Sequence, residues 1–240
     1  MSLFSNSRNW IAAASLLIGG AVHADTISYS DLVAGSHSNT VNGTTVSAWN
    51  NTAQTQVAYF GGRTQAGVAG MGIRGHGNNE IDFYYNSNGQ GDSETMAFDF
   101  ANNIVISELS LSLLFNGPEY SNEHEIAEIF IDGHVGRLEL DPTKEDSAKW
   151  YLDGSLVGEV ASCSPGATAQ GGSGCFTILN PFGNLATANL DLTAAMIPNI
   201  DESDYLFRHV VFASVPEPGT LALFMIGAAG LVISRRKTRA

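Results

Sequence analysis

Four acids, Glu80, Asp82, Asp92 and Glu94, are grouped around one short predicted hairpin. Hard divalent cations gather several oxygens from carboxylates and backbone carbonyls on loops, so this grouping points to calcium. Glu119, Glu123 and Glu125 form a second acidic group further along. The competing reading is a solvated acidic edge, whose charge keeps a strand from pairing with another chain. Neither an EF-hand spacing nor an Asp-rich nonapeptide repeat accompanies these acids.

Other chemistry is thinly represented. The six histidines, His23, His37, His76, His124, His134 and His209, show no metalloprotease spacing, and the chain has no Gly-x-Ser-x-Gly elbow. A glycosidase needs two carboxylates facing each other across a cleft, and spacing along the chain does not place them so. Enzymatic activity is therefore not expected; a secreted hydrolase is the residual alternative. The only cysteines, Cys163 and Cys175, flank a Gly-, Ser- and Ala-rich loop with no histidine nearby. They are predicted to form a disulfide, which would stabilise by about 3 kcal/mol for a loop of this size. A metal pair or a catalytic thiol is the alternative. Tyr84, Tyr85, Tyr120, Trp150 and Tyr151 could stack on sugar faces, making a carbohydrate-binding module the alternative function; such residues also serve as core or rim.

The elements that must position these residues are strands. Ile104–Phe115 places Leu109, Leu111, Leu113 and Phe115 at every second position, with Ser110 and Ser112 opposite. Glu94–Phe100 repeats the pattern with Met96, Phe98 and Phe100. Two Asp-Gly pairs, Asp132-Gly133 and Asp153-Gly154, join apolar runs and predict hairpins. Thr26–Leu32, Thr44–Trp49, Gln54–Phe60, Ala66–Ile73, Phe176–Leu179, Ala186–Leu192 and Tyr205–Val215 are further candidate strands, with Gly35–Gly43 as a polar loop. The Gly-rich Ala66–Ile73 lacks the strand–loop–helix context of a nucleotide site, so its glycines indicate close strand packing. About ten to fourteen short strands without a long helix predict an all-β fold, a single β-sandwich, jelly-roll-like, over 25–214. That body holds 23 of the 24 acids (all but Glu217) and six of the 11 bases, a formal charge of −17. Such a surface repels a phosphate backbone, so no nucleic-acid partner is expected.

Both ends carry targeting features. Met1–Asn9 is polar with Arg8, Trp10–Ala21 is mostly apolar, and Val22-His23-Ala24 offers small or apolar residues before Asp25. This predicts a secretory signal peptide over 1–24, cut by signal peptidase after Ala24. At the other end, Pro216-Glu217-Pro218 precedes an apolar run, Leu221–Ile233, and the bases Arg235, Arg236, Lys237 and Arg239. The uncharged stretch predicts a transmembrane helix over about 219–234, with the basic residues at 235–239 as a stop-transfer signal that holds the body outside the cell.

In the order and placement of these three parts, 215–240 resembles the PEP-CTERM sorting signal of bacterial exported proteins. The resemblance implies recognition of Pro216, Glu217 and Pro218 by an exosortase and processing near that motif. It also implies a precursor anchored in the inner membrane, a final place at the envelope surface or outside the cell, and association with exopolysaccharide or biofilm. The body is then expected to be a structural or adhesive module, stabilised by calcium if the acidic group binds it. A plain membrane tail anchor is the alternative reading of the C-terminus.

Overall fold

The computed structural model describes residues 24–215, apart from 77–78, 86–87, 116–124, 142, 145, 167, 169–171 and 196–202. The predicted signal segment up to residue 23, the 216–218 motif, the apolar run and the basic tail lie outside the described residues, as do Glu119, Tyr120, Glu123 and His124. Among the described residues no helix is long and apolar enough to cross a membrane.

Among the described residues fifteen strands follow one another: β1 (Ala24–Ser28), β2 (Ser38–Val41), β3 (Thr44–Trp49), β4 (Tyr59–Gln65), β5 (Val68–Arg74), β6 (Ile81–Tyr85), β7 (Gly91–Ser93) and β8 (Thr95–Ser112), then β9 (Ile126–Ile131), β10 (His134–Leu140), β11 (Ser147–Leu152), β12 (Ser155–Ala161), β13 (Phe176–Leu179), β14 (Ala186–Ala194) and β15 (Asp204–Ser214). The fold is all-β, as expected. The strands do not divide into two separately paired sheets; they form one hydrogen-bonded network with β8 as its spine. The first part of β8, up to Asp99, lies between β3 and β14; the part from Ile104 onward pairs with β15 on one side, and on the other with β14 at Ile104 and Val105 and then with β13 from Glu108 to Leu111. From β14 the network runs outward through β9, β10 and β11 to β12; from β15 it runs to β5 and β4.

Four hairpins close with two-residue turns, Asn42-Gly43, Ala66-Gly67, Asp132-Gly133 and Asp153-Gly154, and every one of these eight residues has positive φ. That is the geometry whose twist matches the flanking strands, and it favours Asn, Asp and Gly. The two Asp-Gly hairpins were legible in the sequence. The strand at Ser38–Val41 was not: it is polar and half-exposed, so it reads as loop.

The two runs read as separate strands, Glu94–Phe100 and Ile104–Phe115, are one strand of 18 residues. It ends at Ser112, because Leu113 has φ +64 and its N–H turns to Ser173 O at 3.0 Å. Met96, Phe98, Phe100, Ile104 and Ile106 point into the main core, and then the phase changes to Leu109 and Leu111. Pairing shows why: Glu108 faces Val211 and Ile106 faces Phe212, leaving Ser107 as an extra residue. A bulge of this kind flips which face the following side chains take. Ser110 and Ser112, on the face opposite Leu109 and Leu111, are also fully buried. Ser110 Oγ donates to Phe176 O at 3.2 Å.

One continuous apolar cluster draws on strands from Ile27 in β1 to Phe212 in β15. Phe98 meets Phe207 edge-to-face at 5.1 Å and Phe100 meets Phe212 at 4.9 Å. Truncating such a ring to Ala costs about 3–5 kcal/mol. The predicted strand Gln54–Phe60 is displaced: β4 starts at Tyr59 and runs through Gly61-Gly62. Those glycines sit inside a ladder, and a Cβ on Gly61 would lie 2.5 Å from Asn79 Oδ1.

Candidate functional site

Strand β6 pairs with the start of β15, so that Asp82 lies opposite Asp204. Just before β6, Glu80 accepts from Ile73 N–H through its carbonyl, which fixes its backbone beside β5. The carboxylates of Glu80, Asp82 and Asp204 come within 4.8 Å of one another. Glu80 and Asp82 are buried. The Arg63 guanidinium, on β4, pairs with Glu80.

Glu94 joins this group from the junction of β7 and β8. It is fully buried, its Oε1 accepting from His76 N–H at 2.9 Å and its Oε2 from Asp82 N–H at 3.2 Å. Burial, with the Asp82 charge beside it, pushes its pKa up to about 8. Its close seat depends on Gly75, where a Cβ would stand 1.9 Å from Glu94 Oε1 and 2.2 Å from Asn50 Oδ1. Glu125 is buried too, and its Oε2 accepts from Phe115 N–H. Burial raises its pKa well above the carboxylate range, and the adjacent Asp204 charge and a hydrogen bond with Asp204 add to that.

Asp92, the fourth member of the sequence grouping, faces elsewhere. Its Oδ1 accepts from Thr52 Oγ1 at 2.5 Å, Thr52 N–H at 3.0 Å and Ser93 N–H at 2.9 Å. Burial would raise its pKa, but these hydrogen bonds outweigh it and hold the carboxyl below its ordinary value. Asp92 therefore fixes a turn. The structure gathers Glu80, Asp82 and Glu94 and adds Asp204 and Glu125, with Arg63 as counter-charge. Asp204 lies 122 residues beyond Asp82, and only the β6–β15 register brings them together.

Three convergent carboxylates could supply part of the six to eight oxygens a calcium ion takes. The group also sits where ionised forms are costly, so it can relieve repulsion either by keeping protons or by taking a cation. The aromatic residues divide. Trp150 is core, with Nε1 donating to Pro181 O at 2.7 Å and Phe182 edge-on at 5.8 Å. Tyr84 stacks on His76 at 3.7 Å and donates to Asn50 O; Tyr85 is exposed, and Tyr151 is half-buried. Cys163 and Cys175 form the expected disulfide, with Cα atoms 5.3 Å apart. The bond ties the end of β12 to the start of β13, and Arg208 Nη1 rests 2.8 Å from Cys175 Sγ.

Beyond β15 the chain enters the segment that carries Pro216, Glu217 and Pro218. Residues 214–237 match the family model of the PEP-CTERM protein-sorting motif. The match covers this tail alone. No curated protein and no solved structure matches the chain. The motif implies a protein that is exported and anchored in a membrane before an exosortase processes it. The chain thus carries a PEP-CTERM protein-sorting motif at its residues 214–237.

Proposed function

We propose that the β body is a non-enzymatic structural or adhesive module of the cell envelope or extracellular matrix, associated with exopolysaccharide or biofilm. In this reading signal peptidase removes 1–24, the transmembrane helix predicted over about 219–234 anchors the precursor, and the bases Arg235, Arg236, Lys237 and Arg239 hold its end in the cytoplasm. The observation that carries it is the sorting motif following directly on the last strand of a folded all-β body. Replacing Pro216, Glu217 and Pro218 together by Ala should abolish processing and leave the protein in the membrane fraction. Unchanged processing and location would reduce the tail to a simple anchor. Binding of the body to isolated polysaccharide, with Tyr85→Ala weakening it, would favour a carbohydrate-binding module instead.

The convergence of Glu80, Asp82 and Asp204 supports a second element of this reading, stabilisation by calcium. Calcium should raise the melting temperature and a chelator lower it. Asp204→Asn should remove the response, and a melting curve indifferent to both additions would exclude it.

A further inference from the structure

The strand that leads into the sorting motif is held on both sides to its last residues. Ala24–Ser28 of β1 run beside His209–Ala213, with Ala24 opposite Ala213 and Asp25 opposite Phe212. On the other side, Val105 and Ile104 of β8 face Ala213 and Ser214. Val215 N–H then donates to Asn103 O at 2.8 Å. Pro216 follows this bond at once, so three residues, 216–218, separate the ladder from the transmembrane helix predicted over about 219–234. Fully extended, three residues reach about 10 Å, little more than the thickness of one headgroup layer.

We propose that β1 is a clamp on this end of β15, withholding the segment before the motif from the exosortase, so that opening of the β1–β15–β8 ladder sets the rate of tail processing. The clamp rests on the reading of the tail as an exosortase substrate. An enzyme that works on a backbone bond must receive a stretch of chain free of its own ladder bonds. When opening is fast, turnover follows the population of the open form. Strand β1 is an edge strand and is therefore the part that frays first. It is nonetheless fastened: Ile27 is fully buried in the main core. Beyond it, Ser28 and Asp31 form a reciprocal cap, Ser28 N–H donating to Asp31 Oδ2 at 2.8 Å and Ser28 Oγ accepting from the backbone. Ala24, the predicted last residue of the signal peptide, lies opposite Ala213. Leader removal and tail processing thus take place at one corner of the body, and the strand freed by the first closes over the approach to the second. The clamp adds no chemical step; it sets how often the segment is presented.

Pulse-chase of the full-length protein in exporting cells with an active exosortase tests this. A six-residue Gly-Ser insert between Ser214 and Val215 supplies free chain and should speed processing by about tenfold, the equivalent of two or three cross-strand pairs. The pair Thr26→Cys and Val211→Cys joins residues that face each other in the β1–β15 register. It should slow processing by a similar factor when oxidised. An insert that slows processing or leaves it unchanged, or an oxidised lock that leaves it unchanged, overturns the clamp. Loss of processing in the Pro216, Glu217 and Pro218 triple-alanine variant shows separately that the exosortase reading stands. Normal processing of that variant overturns both.

Discussion

Replacing Glu94 by Gln should remove one buried-acid share, about 4 kcal/mol, of the loss of stability that the body undergoes between pH 5 and pH 8. The carboxyl is fully buried, accepts two backbone N–H groups and faces Asp82. Its pKa rises from an ordinary 4.5 to about 8 in the folded protein. A folded-state value raised in this way means the folded chain keeps a proton that the unfolded chain has already released. The resulting stabilisation is complete below pH 4.5 and is lost as pH rises towards 8. At 1.36 kcal/mol per pH unit, this loss comes to about 4 kcal/mol between pH 5 and pH 8. For a body of this size that corresponds to a fall in melting temperature of about 10 °C. Gln carries no charge to bury but offers one acceptor oxygen to two N–H donors, which costs about 1 kcal/mol. The two melting profiles should therefore cross: wild type more stable at pH 5, Glu94→Gln more stable at pH 8. The measurement is thermal melting across that range with chelator present, which keeps cations from neutralising the cluster. Glu125 and Asp191, also raised by burial, leave a shared residual slope in both proteins. Parallel profiles for the two proteins would refute the placement of Glu94 as a buried acid.

Gly136→Ala should destabilise by about 3 kcal/mol or more, since the new Cβ would lie 2.1 Å from Cη2 of the buried Trp150 ring. A red-shifted tryptophan emission should accompany the lower melting temperature, and unchanged emission and stability would contradict this packing. Replacing both Cys163 and Cys175 by Ser should cost about 3 kcal/mol. A matching fall in melting temperature when the wild-type protein is reduced checks the same bond.

Hairpins and strand faces were legible because their rules are local. Asp132-Gly133 and Asp153-Gly154 declare their turn type within two residues, and Leu109 and Leu111 declare an inward face within three. What was missed depends on register over long separations. The extra residue at Ser107 and the burial of Ser110 exist only because β13 and β15 flank β8, and no window of sequence contains all three. The acidic cluster was half legible for the same reason. Glu80, Asp82 and Glu94 lie within one stretch of chain, whereas Asp204 arrives on β15 and Glu125 just before β9. Asp92 was included by proximity in sequence, and the Thr52 turn directs it away.

The placement of β15 between β1 and β8 also decides how the protein bears force. A pull applied through the C-terminal anchor runs along β15, and its pairs with β8 lie across the direction of load, so they resist together in shear. A pull that drew the N-terminus of the mature body away from its C-terminus would part β1 from β15 one pair at a time, beginning at Asp25 and Phe212. The body is therefore strong when loaded through its tail and weak when stretched between its ends.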